Sequence, residues 1–237
     1  MPDKSGIKIP IHYNYIIQSA IYNSISKELG DFLHKTGYCY RGRVFKLFAY
    51  SRLLGNYKID RTDNTIFFTG PVKLIISSPV NIFCESLVNT LLTKGYITIM
   101  KRDVHIKNIF IRKVLAEKEE LRVRTLSPIV CYSTLLRPDG RKYTCYFQPG
   151  ETDFNNLIRN NITKKYKAFY GLDEEPGKFS VFNFSRKRMH VIKYKNTVIK
   201  AYSCNMTISS TKEIIEFIVS SGLGSKNSQG FGCIDAC

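Results

Sequence analysis

A glycine-rich segment close to the C-terminus, GLGSKNSQGFG at residues 222–232, limits what this end of the chain can form. Four of its eleven residues are glycines, and each costs a helix or strand roughly 0.5–1 kcal/mol relative to alanine. The preceding residues 213–220 have the apolar spacing of a helix with a capping box, and residues 231–234 have a strand pattern. The sequence therefore predicts a helix, a glycine loop and a last strand, in that order.

This order excludes the common nucleotide-binding motifs. A P-loop needs G-x-x-x-x-G-K-[ST], which no frame of the segment provides, and Asn227 stands where the third glycine of the dinucleotide fingerprint would be. Both motifs also follow a strand and open a helix, which is the reverse of the order here. The segment is then either a plain surface loop or a backbone cradle for an anion.

The charge of the chain restricts its partners. Of 237 residues, 36 are Lys or Arg and 19 are Asp or Glu, which gives a formal net charge of +17 at pH 7. One basic run is usually a solvated face. The positive charges of so large an excess, however, repel one another and destabilise the compact fold unless a polyanion is bound. The charge therefore favours nucleic acid over an anionic membrane surface. With 43% hydrophobic residues, the chain can also bury a core.

The cysteines and the lack of long apolar runs favour an intracellular protein. The seven cysteines are scattered without a C-x-x-C pair, which argues against a zinc ribbon or a disulfide framework. No stretch of about 20 apolar residues could span a membrane, and the N-terminus carries no signal-peptide pattern. We expect a cytoplasmic protein with reduced thiols and no membrane association.

Residues for metal chemistry are scarce. The acidic residues form no D-x-D or H-x-x-E cluster, apart from an acidic run at residues 173–175, and two-metal phosphoryl transfer needs converging carboxylates. The serine-hydrolase signature G-x-S-x-G is absent as well. We expect no metal site and no cofactor, so any nuclease chemistry would be metal-independent.

The predicted elements run through the same order twice. The first series has helices over residues 13–25 and 28–35, strands over 43–51 and 64–77, a helix from 79 to 95 and a β-rich stretch over 97–114. The second has strands over residues 121–133 and 142–147, a basic helix over 153–170, a strand pair over 178–184 and 190–208 joined by 185–189, and the closing helix, loop and strand. This order predicts an α+β chain of two tandem ferredoxin-like (RRM-like, βαββαβ) domains, residues 1–118 and 119–237.

Among the four histidines, His34 has the setting that best suits catalysis. It lies one turn from the C-terminal end of a predicted helix, with Tyr22 on the preceding helix and Lys46 in the following strand. A histidine, a fixed cation and a phenol suit phosphodiester cleavage, but the spacing fits a helix-end histidine, a surface lysine and a core tyrosine equally. His12 is an alternative catalytic candidate, whereas His105 and His190 fit structural positions in strands.

Several motifs together resemble a known family. The glycine pattern at residues 222–232 and the segments QSAIYN (18–23), FLH (32–34), KLFAYS (46–51) and LSPI (126–129) match one family in order and spacing. That family is the CRISPR-associated endoribonucleases that process precursor CRISPR RNA (CRISPR-associated protein six, in the RAMP superfamily). The resemblance covers nearly the whole chain. The glycine signature is specific to RAMP proteins, and its combination with the early histidine is specific to this nuclease.

The resemblance implies tandem ferredoxin-like domains and metal-independent cleavage within the CRISPR repeat. Attack by the upstream 2′-OH would leave a 2′,3′-cyclic phosphate and a 5′-OH. By this resemblance, His34 occupies the position of the family's catalytic histidine, Tyr22 that of its active-site tyrosine and Lys46 that of its phosphate-facing lysine. The implied partners are CRISPR repeat RNA and a Cascade-like interference complex, and both a monomer and a homodimer remain open.

RNA binding is expected outside these three residues. The family's RNA-holding glycine loop falls on Gly222, Gly224, Lys226, Asn227, Ser228, Gly230 and Gly232. Glycines can direct successive N–H groups at a phosphate, and Lys226 adds charge. The basic residues of segment 159–167, together with Arg186, Lys187 and Arg188, either follow the RNA backbone or form solvated faces.

The N-terminus departs from the family pattern. The family's first strand lies centrally in the first sheet, whereas only residues 1–10 precede the first helix here. Either residues 6–9 form a short strand or the first domain lacks a full first strand. A missing strand would leave unpaired backbone groups and an edge open to a partner.

Two other functions compete with the nuclease. One is a non-catalytic RAMP-type subunit that binds CRISPR RNA, and the other is a ferredoxin-like domain that binds a small molecule or regulates. The position of His34 between the Tyr22 helix and the Lys46 strand favours the nuclease over the non-catalytic subunit. The net charge and the glycine loop favour both over the third class.

Overall fold

The computed structural model describes residues 6–171 and 176–237, so the acidic run at 173–175 lies outside the described residues. The elements of the first half are β1 (Ile7–Pro10), α1 (Asn14–Tyr22), α2 (Lys27–Lys35), β2 (Tyr38–Tyr40), β3 (Arg43–Phe45), β4 (Ala49–Tyr50), β5 (Leu54–Asp60), β6 (Thr65–Lys73), β7 (Ile76–Ser77), α3 (Asn81–Lys94), β8 (Tyr96–Ile99) and β9 (Arg102–His105). Those of the second half are β10 (Glu120–Thr125), β11 (Tyr132–Leu136), β12 (Lys142–Tyr146), α4 (Thr152–Tyr170), β13 (Ser180–Tyr194), β14 (Thr197–Ser209), α5 (Lys212–Ser221), a 3₁₀ turn (Asn227–Gln229) and β15 (Ile234–Ala236).

The second half is built on one four-stranded antiparallel sheet. Its strand order is β13-β14-β10-β15, so β14 lies between β10 and β13 in the split-βαβ arrangement. The apolar residues of α4 recur at helical spacing, and Phe154, Ile158 and Ile162 are fully buried. They pack with the apolar side of α5 in one core, which also holds residues of β10 and β14.

The first half repeats this arrangement on a smaller sheet. Its order is β1-β6-β5, so β6 lies between the first strand and β5. The first strand is therefore present, four residues long, and Ile9 of this strand is buried opposite Ile66. Among the described residues no strand pairs with the other edge of β1.

The two halves share apolar contacts. Phe217 of α5 lies in the core of the first half, where Tyr166 and Phe169 of α4 pack against it. A smaller cluster joins β4 to the second half. It contains Ala49 of β4, Leu126 directly after β10 and Cys233 directly before β15. All seven cysteines are free thiols.

Several strand predictions need correction. The expected strand over residues 121–133 ends at Thr125, the one over 64–77 is interrupted after Lys73, and β5 has no counterpart among the predicted strands. The expected strand over residues 43–51 is broken at Leu47, whose φ of +51° lies in the left-handed region. The β-rich pattern of residues 97–114 forms only the β8–β9 hairpin, and residues 106–119 connect the halves without regular structure. Residues 185–189 do not join two strands, because they lie within β13 and the β13–β14 hairpin turns after Tyr194.

Candidate active site and RNA interface

The short helix α2 presents His34 to solvent. Ser26 begins the helix by accepting a hydrogen bond from the Leu29 N–H at 3.3 Å, and Leu29 and Leu33 turn one side into the core. His34 follows Leu33 on the outer side and is exposed. Gly37, with φ of +59°, ends the helix, because its N–H bonds to the Phe32 carbonyl at 2.7 Å.

Tyr22 is the last residue of α1, and its ring is anchored in the core. The ring packs edge-on against Phe48 at a centroid distance of 5.8 Å. Burial raises the pKa of the Tyr22 phenol to about 12. The phenol is therefore neutral near pH 7, where it can donate a hydrogen bond but cannot act as a base.

Tyr22 and His34 line the same open cleft, of about 370 Å³, between the end of α1 and the outer side of α2. Residues of the connection and of α2 complete its lining, namely Asn23, Ile25, Ser26, Lys27, Gly30 and Asp31. The structure thus brings together two of the three residues predicted for catalysis.

Lys46 contacts the backbone of His34 at the end of α2. Its Nζ atom donates a hydrogen bond to the backbone carbonyl oxygen of His34 at 3.2 Å, not to the imidazole. A Cβ on Gly37 would lie 3.3 Å from this Nζ atom, so the glycine leaves room for the lysine. Burial lowers the pKa of the Lys46 ammonium. The cation is next to the catalytic candidate but outside the lining of the cleft.

The glycine-rich loop packs between the two halves of the chain. Gly222, Gly224, Gly230 and Gly232 all have φ between +68° and +85°, a region that glycine enters without strain. A Cβ on Gly224 would lie 2.6 Å from the Val130 carbonyl oxygen. A Cβ on Gly230 would lie 2.7 Å from the Tyr50 ring in the first half. These positions therefore require glycine for packing as well as for conformation.

Several N–H groups of this loop are committed to protein carbonyls. The N–H of Gly222 bonds to Ile218, that of Gly230 to Asn227 and that of Gly232 to Pro128, at 2.9 to 3.0 Å. Asn227 is buried, and its Nδ2 atom donates to the carbonyls of Leu223 at 2.9 Å and of Phe231 at 3.1 Å. These groups hold the loop together and do not point at solvent.

Lys226 and Ser228 are the partly exposed members of the predicted loop set. The Nζ atom of Lys226 lies 5.5 Å from the centroid of the Tyr132 ring, and burial lowers the pKa of its ammonium. A cation beside an aromatic ring at the edge of a rigid loop can contact a phosphate and a stacked base together.

Arg186, Lys187 and Arg188 are exposed on β13. The strand is irregular here, since its register with β14 shifts on both sides of Ser185, and Arg186 has φ of +51°. Lys187 Nζ donates to the carbonyl of Pro149 at 3.4 Å, which leaves the two arginines as the outward cations of the run. The bulges turn these side chains away from the regular alternation of a strand.

The basic side of α4 differs from the sequence expectation. Lys165 and Lys167, in the predicted RNA-tracking segment, are buried at 2% and 4% exposure. Lys165 Nζ donates to the carbonyl of Gly222 at 2.7 Å and to that of Ser221 at 3.4 Å, where α5 ends. Burial lowers the pKa of Lys165 to about 7. This lysine supports the glycine loop from inside.

Asn14, which the sequence analysis did not single out, links the glycine-rich loop to the first half. Asn14, 1% exposed, donates from Nδ2 to the carbonyls of Gln229 at 2.9 Å and of Gly230 at 3.1 Å. Its Oδ1 atom accepts from Arg52 Nη1 at 2.8 Å. An asparagine at the start of a helix usually indicates a cap, so only the position of a loop more than 200 residues away reveals this role.

Within residues 6–171 and 176–237, no group of three or more His, Cys, Asp or Glu side chains could hold a metal ion. No helix in the described part of the chain is both long and apolar enough to cross a membrane.

Comparisons with known proteins agree on one family. The CRISPR-associated endoribonuclease Cas6 1 of Methanocaldococcus jannaschii is 30% identical over 234 residues, covering 95% of this chain and 86% of the relative. The CRISPR-associated endoribonuclease Cas6 of Pyrococcus furiosus is 28% identical over 244 residues, covering 97% of this chain and 84% of the relative. The chain also superposes on the solved structure of an RAMP protein binding different RNA substrates, with a TM-score of 0.81, 20% identity and coverage of 100% and 96%.

The fold prediction is confirmed, because the RAMP structures share the two tandem ferredoxin-like domains. The family model for the N-terminal part of CRISPR-associated protein Cas6 matches residues 8–110, and the model for its C-terminal part matches residues 111–236. These two matches cover more than nine-tenths of the sequence. The chain belongs to the Cas6 family of CRISPR-associated proteins.

Proposed function

We propose that this chain is an endoribonuclease that cleaves precursor CRISPR RNA within the repeat to make guide RNAs. Its relatives from Methanocaldococcus jannaschii and Pyrococcus furiosus carry the name CRISPR-associated endoribonuclease. The observation that carries the proposal for this chain is the placement of His34 beside Tyr22 in an open cleft, with Lys46 fixed on the His34 carbonyl.

The proposed reaction uses the nucleophile that RNA itself provides. The 2′-oxygen upstream of the scissile phosphate forms a bond to phosphorus, and the bond from phosphorus to the 5′-oxygen breaks. The 2′-OH loses a proton and the leaving 5′-oxygen gains one, which yields a 2′,3′-cyclic phosphate and a 5′-OH. This mechanism requires no metal ion or cofactor.

The three residues take different roles in this reaction. His34 transfers a proton, as base toward the 2′-OH or as acid toward the leaving oxygen, which contributes about 10²–10⁴-fold. Tyr22, whose phenol is neutral, positions the ribose or the phosphate by a hydrogen bond. Lys46 stabilises negative charge on the pentacoordinate phosphorus and holds the end of α2 in place.

RNA binding depends on the second half of the chain. The glycine-rich loop, residues Gly222 to Gly232, serves as a rigid support that presents Lys226 and Ser228. Arg186 and Arg188 on β13 add exposed positive charge for the backbone. We place the domain boundary at residue 118, so that residues 1–118 carry the catalytic histidine and residues 119–237 carry the loop.

The product has a further destination in this proposal. Guide RNA is used by a Cascade-like interference complex in the cytoplasm, so we propose this complex as a partner that receives the product.

Size measurement of the protein with and without CRISPR repeat RNA distinguishes a monomer from a homodimer.

The test is cleavage of the host's CRISPR repeat RNA in EDTA by the wild-type protein and by His34→Ala. The same RNA with a single 2′-deoxy substitution at each candidate position locates the cut. We expect cleavage in EDTA that one 2′-deoxy abolishes, and a rate about 10²–10⁴-fold lower for His34→Ala with RNA binding retained. His105→Ala, which removes an exposed histidine of β9, is the matched control and should cleave normally.

Two results would contradict the proposal. Tight RNA binding without cleavage would make the chain a non-catalytic RAMP subunit. Near-normal cleavage by His34→Ala would remove this histidine from the reaction.

A further inference from the structure

Lys165 of α4 places a buried amine against the carbonyl end of α5, inside the second half of the chain. Its side chain is 2% exposed. The Nζ atom donates to the Gly222 carbonyl at 2.7 Å and to the Ser221 carbonyl at 3.4 Å. At these carbonyls α5 ends and the glycine-rich loop begins. The last carbonyls of a helix have no intrahelical partners and carry the negative end of its dipole, so they attract a cation.

The amine of Lys165 has no carboxylate to balance its charge. None of the ion pairs formed between described residues includes it. The titratable group that acts on it is the Cys131 thiol, whose pKa is raised by burial, so this thiol is neutral near pH 7. Of the carboxylates on α5, Glu216 accepts from the Ala116 N–H at 3.0 Å and Glu213 is exposed. The two helix-end carbonyls are therefore what stabilises the ammonium.

The amine also lacks a full set of hydrogen bonds. An ammonium has three N–H donors, and within the described part of the chain Lys165 uses two of them. The buried hydroxyl oxygen of Ser221 has no hydrogen-bond partner among the described residues. A buried ammonium that is only partly compensated loses its proton easily. Burial accordingly lowers the pKa of Lys165 to about 7.

The strength with which Lys165 holds the start of the glycine-rich loop depends on this proton. A charged donor makes a hydrogen bond about twice as strong as a neutral one. The ammonium therefore holds the Gly222 and Ser221 carbonyls more firmly than the neutral amine does. Near pH 7 both forms of the side chain are present, so a small change in its surroundings shifts the balance between them.

The glycine-rich loop connects this amine to Lys226, the cation that the loop presents to solvent. Lys226 follows Gly222 by four residues. Directly before Lys226, the N–H of Ser225 donates to the Val130 carbonyl at 2.8 Å. Val130 in turn directly precedes Cys131, the residue that acts on the buried amine. The amine is thus adjacent both to the start of the loop and to the segment on which the loop rests beside Lys226.

We propose that Lys165 is a positioning residue for RNA binding, which in its protonated form holds the glycine-rich loop in its binding geometry and gains this proton as RNA binds. The inference rests on the proposed function, in which the loop presents Lys226 to RNA. A phosphate bound at the loop adds negative charge near the buried amine and favours its protonated form. Because such coupling is reciprocal, the protonated form also favours bound RNA.

The sign of the pH effect follows from this coupling. In the free protein Lys165 loses its proton at about pH 7, and in the RNA complex it loses the proton at a higher pH. Between these two pH values the complex holds more protons than the free protein, so RNA affinity rises as the pH falls. Below this window both states are protonated and above it both are neutral, so the contribution of Lys165 is constant there.

The test measures affinity for a repeat RNA made uncleavable by 2′-deoxy substitution at the cut site, at constant salt from about pH 9 to about pH 6. Lys165→Met keeps a long apolar side chain but cannot bind the proton. Lys164→Met is the matched control, because Lys164 is a partly exposed lysine of the same helix. Wild-type affinity should increase about tenfold as the pH falls, the factor given by a shift of one pKa unit. Lys165→Met should lose this part of the increase and Lys164→Met should keep it.

NMR of the wild type provides a second readout that does not depend on a variant. The side-chain signals of Lys165 should titrate at about pH 7 in the free protein and at a higher pH in the RNA complex. This measurement carries the test if Lys165→Met does not fold. It also separates the lysine from the histidines, whose own signals report their titration.

The outcomes separate the two proposals. If RNA is bound and cleaved but leaves the titration of Lys165 unchanged, the positioning role is wrong and the nuclease is intact. The same conclusion follows if Lys165→Met is folded and binds RNA with the pH dependence of the wild type, even with weaker affinity at every pH. Failure of the wild type to bind repeat RNA would overturn both proposals.

Discussion

The Nζ atom of Lys46 donates a hydrogen bond to the backbone carbonyl oxygen of His34, at 3.2 Å. The lysine thereby satisfies a carbonyl at the C-terminal end of α2, where the helix leaves its last carbonyls without intrahelical partners. It also holds a positive charge next to the backbone of the residue that carries the imidazole. One side chain can thus support the position of His34 and stabilise a phosphate bound beside it.

Replacing Lys46 by alanine should lower the cleavage rate about 10²–10³-fold, the usual loss when one donor to a developing negative charge is removed. RNA affinity should change only a few-fold, because many other cations remain. Single-turnover cleavage with saturating repeat RNA measures the effect. Lys35→Ala is the control, since Lys35 is exposed at the end of the same helix. Equal rates for the two variants would exclude a role for the Lys46 ammonium.

Tyr22→Phe should reduce cleavage about tenfold or more with little change in thermal stability. The variant keeps the ring that packs on Phe48 and removes only the hydroxyl that positions the RNA. Because burial raises the pKa of Tyr22 to about 12, the wild-type pH–rate profile should show no loss from tyrosine ionisation below about pH 11. A cleavage rate unchanged in Tyr22→Phe would leave Tyr22 a core residue.

Gly232→Ala should destabilise the protein more than Gly95→Ala. Both glycines have positive φ, at +68° and +72°, so each substitution incurs about 1–2 kcal/mol of backbone strain. A Cβ on Gly232 would also lie 1.9 Å from the Leu223 carbonyl oxygen, whereas nothing lies within 4 Å of one on Gly95. The clash should add about 1–3 kcal/mol. Urea unfolding of both variants measures the difference, and equal midpoints would show that the glycine loop yields easily.

Lys165 should make the free energy of unfolding depend on pH. Its pKa is lowered from 10.5 to about 7 in the folded chain, so between these values the unfolded chain binds more protons. Stability from this group therefore rises with pH across that window, by at most about 1.4 kcal/mol per pH unit, and does not change with pH below it, where both states carry the protonated lysine. The difference between wild type and Lys165→Met in urea unfolding at several pH values isolates this contribution from that of the buried thiols.

Lys164→Met is the control for this measurement, because Lys164 is the partly exposed neighbour on the same helix. Its stability should follow the wild-type pH dependence. A Lys165→Met variant with that same dependence would mean that Lys165 titrates normally.

The sequence by itself determined most of the helices, the two tandem domains and the helix, loop and strand at the C-terminus, but it missed β5 (Leu54–Asp60) of the first sheet. Apolar periodicity and capping residues act within a few positions of each other, so they can be read without knowing the fold. The short first strand could be anticipated but not settled, because four residues at a chain end carry little pattern. The structure shows that the strand is present, because Ile9 pairs with Ile66 of β6.

Only the tertiary structure decided what the polar residues do. Lys165 has the sequence context of a basic surface helix, yet it is buried under the glycine loop. Asn14 resembles a helix cap, yet it connects Arg52 to a loop more than 200 residues away. A polar side chain is compatible with water or with a buried partner, and which of these it meets depends on contacts between distant segments. Local spacing carries no information about such contacts.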